Sequence, residues 1–524
     1  MGTIINPGNA GFMSVRASRY VDKTGLIVEI NRTLGTNEKL TCVSRPRRFG
    51  KSFATKMLCA YYDRTCDSHV LFDDLAVARD PSYERHLNQY NIMYLDLTQV
   101  LQEAGDEPLV GYLKRKLLGE LCLEFPEARP DDSLSMALVN AVEQSGRRFV
   151  AIIDEWDAPI RERPTAAYAY LELLRTLFKG SATTDRIFAA AYMTGIFPIK
   201  KDRGQSAVSD FWEFSMLSPG PFAPYVGFLE GDVRELCAET GLDFDQMRHW
   251  YDGYELDEVK SVYNPYAVMR AVRARRFGSY WRYTSAADML LTYLDLDFKG
   301  LQDDVVRLMA GEELEVETSN FRNDPALIGS RDDALTLMIH LGYLTYEEDF
   351  NGHGWARIPN AEMRTEFEKV LRQATHPELV RLVRTSDDLL ESTRSLDGDA
   401  VAAGVALVHD SNYAPKFYND EQSLRHTVKM AYISAVDRYA RVEELPSGHG
   451  LADLVFLPRR RSPLPTLVVE LKWNGDAEGA LAQIRDRNYT ALPADLADEV
   501  LLVGISYDRR TKEHVCSIQR AYVG

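Results

Sequence analysis

Short runs of consecutive apolar residues, bounded by polar and turn-forming ones, mark the first third of the chain. "KLTCVS" (Lys39 to Ser44), "NIMYLDL" (Asn91 to Leu97), "RFVAIID" (Arg148 to Asp154) and "RIFAAAYMTG" (Arg186 to Gly195) are of this kind. Their length and continuous apolar character predict buried strands. Helical spacing fills the gaps between them, at about Lys51 to Tyr62, Leu109 to Glu124 and Ser133 to Gln144. Strands alternating with helices predict a parallel sheet covered by helices. "GSYWRYTS" (Gly278 to Ser285) lies beyond the core of that unit, and residues 286–409 read as mostly helical with polar turns and no repeat. From Tyr418 the pattern changes. A helix (about Asp420 to Arg438) precedes strands at Arg441 to Leu445, Leu451 to Leu457 and Thr466 to Leu471. A helix (about Ala477 to Asn488) and the strand "EVLLVGISY" (Glu499 to Tyr507) follow. This α-β-β-β-α-β succession is distinct from the first unit.

The strand "KLTCVS" runs into "SRPRRFGKS" (Ser44 to Ser52), which ends as a phosphate-binding loop does. Such a loop needs backbone N–H groups turned inward, a helix N-terminus and a mobile cation. Gly50 allows close backbone approach, Lys51 would reach the phosphates and Ser52 would ligate Mg²⁺. Arg45 stands where the first glycine of the usual pattern belongs, Pro46 stiffens the loop, and Arg47 and Arg48 add charge. With Phe49, these residues make the candidate nucleotide loop Arg45 to Ser52. Downstream, Asp154 ends a buried strand and Glu155 follows it. In phosphate-loop ATPases such an aspartate holds Mg²⁺, and the neighbouring glutamate can orient or deprotonate the attacking water. Thr194, ending the next buried strand, is the candidate γ-phosphate sensor, and Lys201 and Arg203 beyond it are candidate charge-stabilising fingers.

These motifs, together with "RYVDKTGLI" (Arg19 to Ile27), "IIDEWDAPI" (Ile152 to Ile160), "YMTGIFPI" (Tyr192 to Ile199), "HWYDGYEL" (His249 to Leu256) and "VYNPYAVM" (Val262 to Met269), resemble the prokaryotic AAA-ATPase-like family. The likeness covers roughly residues 10–285. It implies that the arginine at position 45 is a family trait, and it implies nucleotide binding more firmly than hydrolysis. It also implies a C-terminal nuclease-like domain of the PD-(D/E)xK type. Asp22 to Thr24 and the aromatic run Trp250 to Tyr254 read as structural turns ahead of ligand contacts.

The C-terminal pattern carries its own candidate chemistry. Glu470 and Lys472 lie two apart on one strand and share a face. Hairpin pairing can bring Asp453 beside them. Two carboxylates with a lysine are the parts of a metal-assisted phosphodiesterase, with Mg²⁺ as the metal and Mn²⁺ as an alternative. Resemblance to the PD-(D/E)xK fold over about Tyr418 to Tyr507 adds Glu421 as a third metal ligand, and Gln483 and Tyr489 as site-lining residues. Arg459, Arg460 and Arg461 form a basic hairpin tip that reads as solvated before it reads as a phosphate contact.

Composition narrows the function. The chain has 524 residues with 45% hydrophobic and 27% charged, enough for several cored domains. Its formal charge of −17 makes it a poor general coater of nucleic acid. Residues 401–524, with 15 basic and 16 acidic side chains, are near neutral and do not carry that penalty. Six scattered cysteines give no C-x-x-C zinc pattern and suit a reducing compartment, the cytoplasm. No apolar run reaches membrane-spanning length. The expected architecture is α/β. Residues 1–285 are an AAA-like phosphate-loop domain with a helical extension, 286–409 a helical link, and 410–524 a restriction-endonuclease-like domain. The expected function is an ATPase coupled to a metal-dependent nuclease, acting on DNA ahead of RNA, in defence or mobile-element biology. The alternative is a nucleotide-dependent switch whose C-terminal domain binds nucleic acid without cutting. Homo-oligomer formation is left open, and no membrane partner is expected.

Overall fold

The structure, a computed structural model, describes residues 2–180, 182–199, 208, 210–281, 301–309, 311–319, 321, 328–373, 377–410, 418, 420–447, 450–458, 464–486 and 499–522. The chain forms two compact units. One comprises residues Met1–Tyr280 and Glu315–Asn360, the other Trp281–Leu314 and Ala361–Gly524. Residues 286–409 are therefore shared between the units and do not form one connecting block. They contain the expected helices, among them Arg331–Leu341 and Gly398–His409, but also an antiparallel strand pair, Thr345–Glu348 with Gly354–Arg357. Helical periodicity is local information, whereas the unit that receives each apolar face is set by tertiary packing.

In the first unit β1 (Leu40–Ser44), β2 (Asn91–Asp96), β3 (Phe149–Asp154), β4 (Phe188–Gly195) and β5 (Trp212–Phe214) form one sheet, ordered β2-β3-β4-β1-β5. All its pairings are parallel. Every residue of β1, β3 and β4 is buried. This two-sided burial is why their sequences lack apolar–polar alternation. The one ionisable carboxylate in these three strands, Asp154, sits at the end of β3. Register places Asp96 beside Asp154, Asp154 beside Thr194, and Val43 beside Thr194. The polar ends of β1 to β4 thus lie along one edge, the carboxyl edge where open α/β sheets bind ligands.

The second unit holds a mixed sheet of β6 (Tyr439–Ser447), β7 (Gly450–Pro458), β8 (Thr466–Trp473), β9 (Glu499–Asp508) and β10 (Glu513–Tyr522), in that spatial order. Strands β8 and β9 are parallel and the other pairings antiparallel. A parallel pair needs a crossover, and the helix Ala477–Asp486 lies in that connection. The sequence pattern anticipates β6 to β9 but not β10, whose described side chains are mostly exposed or half-buried and give a weaker apolar signal. Among the described residues no helix is long and apolar enough to cross a membrane.

Candidate functional site

The loop Arg45–Gly50 leaves β1 and turns into the helix Lys51–Tyr62. Gly50 makes the turn at φ +93°, a left-handed conformation that costs glycine little. Arg48 also has positive φ, at +70°. Lys51 is buried, and its Nζ donates to the carbonyls of Arg45 (3.1 Å) and Pro46 (3.0 Å). The Lys51 ammonium therefore sits inside the curve of the loop, at the helix N-terminus, as an anion site requires.

Arg45 is placed differently from its neighbours. It is fully buried, and its Nη1 donates to the carbonyls of Ser44 (2.9 Å), Phe214 (3.2 Å) and Ser215 (2.9 Å). Burial lowers its guanidinium pKa to about 10. Arg45 thus braces the loop against the end of β5, a role that a glycine could not fill. Phe49 is buried edge-on against Tyr254, with ring centroids 5.1 Å apart. Pro46 is buried and Arg47 half-buried. Arg48 donates to the Tyr280 carbonyl (3.0 Å) and lies 4.6 Å over the Tyr266 ring.

Asp154 faces this loop from β3. It is buried, and desolvation raises its carboxyl to about 6, opposed by a hydrogen bond from the Ser52 hydroxyl and reinforced by the Glu155 charge. Thr55 Oγ1 lies 3.4 Å from Asp154 Oδ2, and the Glu155 N–H donates to Asp154 Oδ1 at 3.1 Å. A buried carboxylate facing two hydroxyls on the loop helix is chemistry that suits Mg²⁺, and Ser52 and Asp154 are the residues that could hold it. Thr194 Oγ1 donates to the Val43 carbonyl at 2.9 Å, so the candidate sensor is fixed to the backbone of β1.

Glu155 adopts φ +51°, in the left-handed region that is uncommon for glutamate. Its Oε1 is 3.6 Å from Lys51 Nζ, and its Oε2 is 3.1 Å from Arg161 Nη2. Arg161 Nε bonds Asp157 Oδ2 at 2.9 Å. Asp157 is buried, which raises its carboxyl, and accepts the N–H groups of Ile196 and Phe197. Sequence reasoning missed Arg161, although its i+4 spacing from Asp157 on a helix was a readable signal.

A cavity of about 400 Å³ opens beside the loop. Lys51, Ser52 and Glu155 are among its lining, and Tyr20, Met57, Phe228 and Tyr266 are among its apolar walls. Its size and apolar lining fit a small-molecule site. These wall residues come from separate segments and carried no common sequence signal. Asp22 instead makes a turn, accepting from Thr24 N and Oγ1 (2.8 and 2.7 Å). Lys23 is held by the Pro224 carbonyl and Asp232. Trp250, Tyr251 and Tyr254 are buried packing residues. Lys201 and Arg203 lie outside the described residues.

In the second unit Asp453, Glu470, Lys472 and Gln483 are brought together. Asp453 Oδ2 accepts the Leu471 N–H across β7 and β8 at 2.9 Å. Glu470, buried, accepts from Gln483 Nε2, and Lys472 Nζ lies 3.8 Å from its Oε1. The sequence did not reveal Arg425, which pairs with Asp453 at 2.5 Å. Glu421 is exposed in the first turn of the helix Glu421–Ala431 that carries Arg425. Tyr489 and Arg459 to Arg461 lie outside the described residues. Each described carboxylate at the centre already meets a protein cation. Among the described residues no three acidic, histidine or cysteine side chains assemble as a metal cluster.

The parallel sheet, the Gly-Lys-Ser turn and the carboxylate pair at its edge define a phosphate-loop type of α/β unit. Residues 11–203 match the family model AAA-ATPase_like, described as a predicted AAA-ATPase. The chain is also 25% identical over 522 residues to an "Uncharacterized protein in vnfD 5'region" of Azotobacter chroococcum mcd 1, covering 95% of this chain and 94% of that protein. Among solved structures, the Aeropyrum pernix ORC2 protein in ADPNP–ADP complexes matches at 9% identity and TM-score 0.32, covering 68% of this chain and 96% of that one. The Aeropyrum pernix ORC1 protein in complex with DNA matches at 10% identity and TM-score 0.24, covering 73% and 100%. Likeness that distant carries no ligand or partner across.

Proposed function

We propose that the first unit binds ATP with Mg²⁺ and hydrolyses it. The observation that supports this is that Lys51, Ser52 and Glu155 line a nucleotide-sized cavity at the carboxyl edge of a parallel sheet, with Asp154 hydrogen-bonded to Ser52 beside it. Lys51 would take the β- and γ-phosphate charge. Ser52 and Asp154 would hold Mg²⁺, which when bound neutralises charge on the transferring phosphoryl group. Glu155 would orient the attacking water. Lys51→Ala should abolish ATP-induced thermal stabilisation, because a ligand of the folded state raises stability by mass action. Glu155→Gln should retain that stabilisation and lose turnover. Wild-type protein that shows no shift at about millimolar Mg-ATP, roughly a thousandfold above a micromolar Kd, would falsify nucleotide binding.

A second reading concerns the other unit, a domain acting on nucleic acid, DNA ahead of RNA. The gathering of Asp453, Glu470, Lys472 and Gln483 favours a PD-(D/E)xK-like nuclease. The Arg425–Asp453 pair favours binding without cleavage, since that carboxylate already has its counter-cation. Plasmid and single-stranded substrates, with Mg²⁺ or Mn²⁺ and with or without ATP, separate the two. Cleavage lost in Asp453→Ala and Lys472→Ala, with ATP binding intact, supports the nuclease. Nucleic-acid retention with no cleavage under any condition supports the switch.

A further inference from the structure

We propose that Arg161 is a positioning residue for Glu155, and that it tunes how readily a triphosphate captures Lys51. This inference rests on the nucleotide reading of the first unit.

One carboxylate lies between two cations. Glu155 turns one oxygen toward Lys51 (3.6 Å) and the other toward Arg161 (3.1 Å). Arg161 is itself anchored. Its Nε bonds Asp157, which accepts N–H groups from the turn after β4. That turn is tied to the start of the phosphate loop, where Ser44 Oγ donates to the Phe197 carbonyl (2.8 Å) and the Arg45 N–H to the Gly195 carbonyl (3.0 Å). The fork geometry of guanidinium serves two carboxylates at once, which an ammonium does poorly. Arg161 also lies 3.7 Å from Glu162 Oε1, a more exposed carboxylate on its own helix.

Two consequences follow. A triphosphate that takes Lys51 must draw its charge from Glu155 as well as its hydrogen bonds from the Arg45 and Pro46 carbonyls, and Arg161 offsets the loss to Glu155 because it remains as a partner. Once Lys51 is engaged, Arg161 is the described cation that still fixes the Glu155 carboxylate against a left-handed backbone, in the place a water-orienting group needs.

The test is a double-mutant cycle on ATP affinity, read by titration with a fluorescent ATP analogue, with kcat and KM measured alongside. Arg161→Gln should weaken binding by about threefold to tenfold, which lies within the range of coupling between contacting residues. Glu155→Gln should tighten binding, since it removes the competitor for Lys51. In the Glu155→Gln background, Arg161→Gln should change affinity by less than about twofold. Turnover in Arg161→Gln should fall about tenfold or more at saturating ATP, since a displaced general base forfeits part of its usual contribution. Arg161→Lys keeps a cation beside buried Asp157 and should fold even where the glutamine variant does not. It should restore stability more fully than turnover. Equal effects of Arg161→Gln on affinity in both backgrounds would mean that Arg161 only supports the fold and would overturn the proposal. Affinity coupling without any wild-type turnover would leave the positioning of Glu155 standing and remove the hydrolytic reading. Absence of nucleotide binding in the wild type would remove both.

Discussion

Asp154→Asn should make the nucleotide-free protein more stable while disabling its nucleotide site. Asp154 is 1% exposed, and burial lifts its carboxyl from the ordinary 3.8 to about 6. Between those values the folded chain holds a proton that the unfolded chain has released. Stability therefore falls as pH rises through that window, and the full penalty applies above about 6. A shift of roughly two pH units corresponds to about 3 kcal/mol. Asparagine removes the charge and keeps an oxygen for the Glu155 N–H, now 3.1 Å from Asp154 Oδ1. The variant should gain up to about 3 kcal/mol over wild type near about pH 8, and nearly nothing near about pH 4. Denaturant unfolding of the Mg²⁺-free, nucleotide-free protein across that range measures the difference directly. Mg-ATP should then stabilise the wild type and not the variant, because the metal ligand is gone. A gap that does not change with pH, or a variant less stable than wild type at about pH 8, would refute the view that Asp154 is a desolvated carboxylate awaiting a cation.

Other substitutions probe the scaffold of the same site. Arg45→Ala should cost about 3 kcal/mol or more, through two buried carbonyls and one half-buried carbonyl deprived of their donor and the space left behind. Unchanged stability with weaker ATP binding would instead return Arg45 to a phosphate-contacting role. Gly195→Ala would place a Cβ 2.5 Å from Asp157 Oδ1 and 2.7 Å from Trp156 Cδ1. It should therefore cost about 1–3 kcal/mol by overpacking, measured as a lower unfolding midpoint. Gly50→Ala has open space around the new methyl but keeps φ at +93°. It should cost about 1 kcal/mol from backbone strain alone.

Much of the first unit was legible in its sequence for one physical reason. Strands covered on both faces must be apolar throughout, and they stop where polar chemistry can reach the surface. "RFVAIID" therefore announced both a buried strand and the carboxylate at its end, and "SRPRRFGKS" announced a turn into a helix with a cation at its start. In the second unit, the two-residue period of "VELKW" put Glu470 and Lys472 on one face. What no local pattern contained was the company each side chain keeps. Arg45 and Arg48 are three apart and both basic. One is buried as a brace among backbone carbonyls, and the other lies over Tyr266, because β5 packs beside β1 and the segment around Tyr266 reaches the loop. Arg161 acquires its role because strand pairing and a short helix bring Glu155, Asp157 and the turn after β4 within reach of one guanidinium. Arg425, one helical turn beyond Glu421, meets Asp453 because of how that helix docks. The division of residues 286–409 between two units has the same origin. Periodicity fixes which face of a segment must be buried, and only tertiary packing selects the surface that buries it.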